Sequence, residues 1–174
     1  MKRIQKKKAF TLVEMIVVLA LLGIIGSGLI GIIVPSTNIF TRIGAEVQAK
    51  MKSNQVMRVV LDQTEFAKDL ELITNSALIG EDAEKRYLYT NNGKLYMQSS
   101  GSTIDLFGDD FYDGYEVSLS ARKMEKNLVE LTLNTMLSGS PNVNHTLTTT
   151  LRSLNTSEVA GDNGGIIAYV WENP

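Results

Sequence analysis

The chain has no cysteine among its 174 residues. That count excludes disulfides, thiolate metal sites and cysteine nucleophiles. Histidine occurs once, as His145, so there is no second imidazole to share a zinc ion or complete a nucleophile relay. His145 reads as an ordinary strand or loop residue. The glycines form neither a phosphate loop nor a dinucleotide pattern, and no basic–aromatic stripe suits nucleic acid. Positive charge is also scarce after the beginning. Five of the 17 basic residues (Lys2, Arg3, Lys6, Lys7, Lys8) lie in the first nine positions, leaving 12 basic against 19 acidic residues, a formal net charge of −7. Such a surface disfavours nonspecific contact with DNA or anionic lipid. These deficits predict a chain that is not an enzyme and carries no cofactor.

What the chain does have is one long uncharged run. Twenty residues from Met15 to Val34 carry no charge. As a helix they would extend about 30 Å, the thickness of a bilayer core. The basic cluster before the run predicts a cytoplasmic N-terminus and an external C-terminal part. A secretory signal would place its small-residue cleavage site after a shorter apolar region, and none is evident there. A single carboxylate, Glu14, stands just inside the apolar stretch. An unpaired charge is costly in lipid, so Glu14 is a candidate functional residue.

Residues 6–25, KKKAFTLVEMIVVLALLGII, resemble the type IV pilin and type II secretion pseudopilin superfamily. In that family a prepilin peptidase cuts before an aromatic residue, and a glutamate occupies the fifth position of the mature chain. The resemblance implies cleavage between Ala9 and Phe10, N-methylation of Phe10, and an assembly role for Glu14 and the Phe10 amine. It also implies as partners other pilin or pseudopilin subunits, the peptidase, the inner-membrane assembly machinery and, before assembly, the bilayer. The sequence departs from the family at Ala9, where glycine is usual. Alanine is also small, so slower rather than abolished processing is expected. Glu14 then has two readings. Either it snorkels to the cytoplasmic face, or it pairs with a neighbouring subunit's Phe10 ammonium, which offsets part of the desolvation of both charges.

Gly23, Ser27 and Gly31 recur at i+4 and place small residues on one helix face, a pattern that lets membrane helices approach closely. Ordinary tolerance of glycine in membrane helices explains the same pattern. Pro35 follows. It predicts either a kink in a continuing helix or a break, with Ser36, Thr37 or Asn38 capping a second helix.

Ile39, Ile43, Val47 and Met51, then Val56, Val59, Val60, Phe66, Leu70 and Ile73, fall mostly three or four apart. This spacing predicts an amphipathic helix to about Ile73 whose apolar stripe packs on the domain's own sheet. Beyond Ile79 the period becomes two. Tyr115–Arg122 and Val129–Asn134 alternate around a turn at Lys123–Asn127, and Tyr87–Tyr89 and Leu95–Met97 flank Asn92-Gly93. Both read as hairpins. Shorter strands are expected at Ser102–Phe107, His145–Arg152 and Ile166–Trp171. One-sided alternation predicts an antiparallel sheet with a helix across its buried face, an α+β, pilin-like fold. The expected organisation is a leader at 1–9, a membrane and filament-core helix at 10–35, an amphipathic helical half at 36–79 and a sheet part at 80–174. Residues 57–73 and 147–155 are similar to J-type minor pseudopilins and W-type minor pilins.

Three smaller signals remain. Asp105, Asp109, Asp110 and Asp113 cluster around Gly108 and Gly114, which suits either calcium or a plain turn. Asn144-His-Thr146 and Asn155-Thr-Ser157 have glycosylation spacing. The stretch Ser157–Gly165 reads as a flexible excursion. The resulting expectation is a minor, membrane-inserted subunit of a pilus or pseudopilus that later joins a surface or periplasmic filament. An anchored binding or adhesin module that never polymerises, or a DNA-uptake pseudopilin, are the alternatives.

Overall fold

The computed structural model describes residues 11–171. It contains one long helix, α1 (Leu12–Thr64), and a short one, α2 (Asp109–Tyr112). The strands are β1 (Lys68–Ile73), β2 (Arg86–Asn91), β3 (Lys94–Ser99), β4 (Ser102–Asp105), β5 (Tyr115–Glu125), β6 (Leu128–Leu137), β7 (Ser140–Arg152), β8 (Asn163–Gly164) and β9 (Ile166–Val170). Two compact units divide the chain within α1, between Ile43 and Gly44.

In the first unit the described side chains of α1 are almost all exposed. Every large apolar side chain described from Leu12 to Ile33 is exposed. The helix is long and apolar enough to cross a membrane. It runs through Pro35 without interruption, so the chain kinks or bends there at most. Ser36 does not cap a new helix. Its hydroxyl donates back to the Ile32 carbonyl at 2.8 Å.

The second unit holds two antiparallel sheets where one was expected. The first has strand order β1-β9-β2-β3-β4 and the second β7-β6-β5-β8. Alternation along the hairpin strands was legible, but a sheet boundary leaves no local mark in a sequence. Both expected hairpins are present: β2–β3 turns at Asn92-Gly93, with both residues at positive φ, and β5–β6 turns at Lys126-Asn127. Asn and Gly tolerate that region of backbone space, as a two-residue hairpin requires.

The helix ends at Thr64, well before the expected Ile73, and the 36–79 segment is therefore not one helix. The Thr64 hydroxyl turns back to the Val60 carbonyl at 2.7 Å. Phe66, Leu70 and Ile73 mimic helical spacing, yet Leu70 and Leu72 are the inward pair of β1. A bulge between Lys68 and Glu71, with Asp69 at φ 54, starts the strand. Pairing with β9 decides the outcome, and that partner lies far away in sequence.

The apolar stripe is displaced from its expected phase in its first part only. Val56 and Val60 are buried as expected, together with Ala49, Ser53, Met57 and Thr64, while Ile39, Ile43, Val47 and Met51 are 57%, 50%, 50% and 50% exposed. A helix lying close on a sheet favours small residues at the contact, and large-residue periodicity overlooks them. Val56, Met57 and Val60 join one core with the inward side chains of both sheets, among them Leu88, Leu95, Tyr169, Leu131 and Leu133.

The segment read as a flexible excursion is a seam. Ala160 exchanges backbone bonds with Leu70 and Leu72 at 3.0 and 2.8 Å, and Gly164 pairs with Ala121 of β5. A Cβ on Gly164 would lie 2.3 Å from the Ile73 carbonyl oxygen. Only glycine permits so close a passage.

Candidate assembly site

The first described residues form a reciprocal cap on α1. The Thr11 amide and hydroxyl donate to Glu14 Oε2 at 2.8 and 3.0 Å, and the Glu14 amide donates to Thr11 Oγ1 at 3.3 Å. This is a capping box, and it satisfies helix N–H groups that lack an intrahelical acceptor. The carboxylate also lies at the positive end of the helix dipole. Sequence reasoning singled out Glu14 and missed Thr11. The signal was available as Thr-x-x-Glu before an apolar run. Ala9 and Phe10 lie outside the described residues.

Gly23, Ser27 and Gly31 fall on one face of α1, and a Cβ on Gly23 or Gly31 would meet nothing within 4 Å. The Ser27 hydroxyl is turned to the Ile24 carbonyl at 2.8 Å. Its polarity is thereby satisfied within the helix, and the small-residue face stays smooth. Pro35 lacks an N–H, so the carbonyl of Gly31 has no donor four residues ahead.

The acidic loop does not converge. Asp105 Oδ1 accepts from the amides of Phe107 and Gly108, both at 3.2 Å. Asp109 opens α2 and pairs with Lys94, while Asp113 caps its end at φ 45. The Gly-Asp-Asp-Phe-Tyr-Asp-Gly stretch is thus a helical turn rather than a plain strand connection. Among the described residues no three Asp, Glu or His side chains are grouped to hold a metal ion. The helical turn serves packing. Phe107, Phe111 and Tyr112 stack edge and face, and Lys52 of α1 lies over the Phe111 ring and donates to the Phe111 carbonyl. His145 sits on β7 opposite Thr135, with Nε2 buried and without a hydrogen-bond partner.

A family model described as the prokaryotic N-terminal methylation motif matches residues 4–30. The matched segment contains Ala9, Phe10 and Glu14 and runs into the exposed apolar half of α1. The N-terminal segment resembles that of type IV pilins. A solved structure, a point mutant of the PilB minor pilin from Streptococcus sanguinis, is similar in fold to this chain, with a TM-score of 0.53 and 19% identity. The match covers 75% of this chain and 35% of that one, so this chain spans about a third of that chain's length. No curated protein matches it. The motif is that of N-terminally methylated proteins and the fold is that of a minor pilin domain. The apolar helix and the leader fit a membrane-anchored, single-pass protein with a C-terminal domain.

Proposed function

We propose that the chain is a structural subunit, minor in abundance, of a type IV pilus or type II secretion-like pseudopilus. It is inserted in the cytoplasmic membrane through α1, cut between Ala9 and Phe10, methylated on the new amine and drawn into a filament by the assembly machinery. The observation that carries this reading is the methylation motif over residues 4–30, continuous with an apolar helical stretch whose described large side chains from Leu12 to Ile33 are all exposed. Gly23, Ser27 and Gly31 form the face along which neighbouring helices pack. Pro35 marks a kink where the filament-core half of the helix gives way to the half that carries the domain.

The capping box refines the role of Glu14. Both bonds from Thr11 go to Oε2. Oε1 is therefore able to accept a neighbour's Phe10 ammonium without breaking the cap. Thr11 fixes the carboxylate before assembly, and the incoming charge is met by a group already held in place.

Mass spectrometry of the N-terminus of protein purified from its native membrane tests the reading. A chain beginning at methylated Phe10 is expected. An intact Met1 leader, with the peptidase active on other substrates, would favour an anchored module that never polymerises, a reading to which Ala9 lends its one observation. For assembly, Glu14→Ala is expected to insert and fold normally but to be lost from sheared filaments. Unchanged filament levels of the variant would refute the pairing.

A further inference from the structure

The face of the first sheet turned away from the main core carries its own small cluster. Ile73, Tyr87, Ile166 and Ala168 are buried there, with Ile79 and Tyr89 packed against them. Beside this cluster opens a cavity of ≈ 450 Å³ lined in part by Ser76, Ile79, Tyr89, Asn91, Gln98 and Ile166. That volume lies within the range of about 300–1,000 Å³ usual for small-molecule sites. It is remote from the Glu14 end of α1 in sequence and plays no part in the proposed assembly.

We propose that this cavity binds a neutral saccharide, with the Tyr89 ring as platform and Ser76, Asn91 and Gln98 as hydroxyl partners. Three observations converge on that chemistry. First, among the described residues no lining side chain is charged, so none of them would select a phosphate, a carboxylate or a cation by charge. Second, the polar side chains of the lining are two carboxamides, Asn91 and Gln98, and the hydroxyls of Ser76, Tyr89 and Thr90, the last already accepting from the Leu119 amide. Each both donates and accepts, which matches sugar hydroxyls that do the same. Third, Tyr89 stacks on Tyr96 with ring centres 6.0 Å apart and planes 28° from parallel. An aromatic face carries negative charge density and suits the slightly positive C–H face of a pyranose ring.

The cavity is also preorganised. Gly80 stands at φ 84, and a Cβ there would lie 2.5 Å from Gln98 Nε2. The loop backbone thus closes directly on the amide and limits its swing. The Gln98 carbonyl in turn faces the Thr103 hydroxyl at 3.4 Å. A side chain held in this way loses less entropy on binding.

Saturation-transfer NMR on the full chain in lipid nanodiscs tests the proposal, since nanodiscs avoid sugar-headed detergents that would compete. The probes are lactose, N-acetyllactosamine, maltose and diacetylchitobiose, with glucose and galactose beside them to separate a free monosaccharide from the end of a glycan. At least one neutral sugar is expected to give ring-proton signals, and Tyr89→Ala and Gln98→Leu should each reduce them tenfold or more. Gln98→Leu nearly preserves volume and fold, so it decides the matter if Tyr89→Ala unfolds. The proposal is overturned if no neutral sugar gives a signal, if the signal survives Gln98→Leu, or if acidic sialyllactose binds better than lactose.

Discussion

Two hydroxyls meet in the interior where α1 lies on the second sheet: Ser53 donates to Thr135 at 2.8 Å, and both residues are fully buried. A buried pair of this kind stabilises little while intact and costs more when one partner is left alone. Ser53→Ala is expected to destabilise the domain by about 1–3 kcal/mol, with part of that loss recovered in Ser53→Ala/Thr135→Val. Urea unfolding of the four proteins in that cycle measures it. Two phenols set the alkaline limit. Burial pushes Tyr112 and Tyr169 up to about 12 from the ordinary 10.0. Between these values the unfolded chain releases phenolic protons that the folded one keeps. Their contribution is therefore intact below pH 10.0 and declines as pH rises towards about 12. Urea midpoints across that range should fall, and Tyr169→Phe should flatten the decline. At this scale the sequence was uneven. Glu14 stood out because a charge among apolar residues is conspicuous. Thr11 and Ser53 did not, because a hydroxyl reveals its role only through its partner.

At the scale of elements, the hairpins were legible because each encodes its own turn and alternation within a dozen or so neighbouring residues. The end of α1 and the seam around Gly164 were not, since long-range pairing determines both. Gly164→Ala brings a Cβ against the Ile73 backbone, and a loss of at least about 1–3 kcal/mol is expected in thermal or urea unfolding. The displaced stripe on α1 gives a contrast. Leu131 on β6 is wholly buried and Met51 is half exposed. Leu131→Ala should cost about 2–5 kcal/mol, whereas Met51→Ala should alter domain stability by no more than about 0.5 kcal/mol. Equal effects would mean that α1 packs in the phase first read from its large residues.

Across the whole molecule, the N-terminal motif was the most legible part, because a basic stretch running into a long apolar helix is a local feature. The split into two sheets was the least legible. It depends on β9, which enters between β1 and β2 and pairs with both. A chain stopped at Gly165 would lack the strand that joins β1 to the rest of the first sheet and leave the inward sites of Ile167 and Tyr169 empty. It is expected to show no cooperative thermal transition by circular dichroism, and a sharp melt would contradict that placement. The same strand also imposes an order on biosynthesis. A ribosome delivers β1 and β2 long before β9, so those two strands must wait, unpaired with each other, while β3 to β8 are made. During that interval the first sheet stays open between them, and any factor that shields nascent segments would find its substrate there.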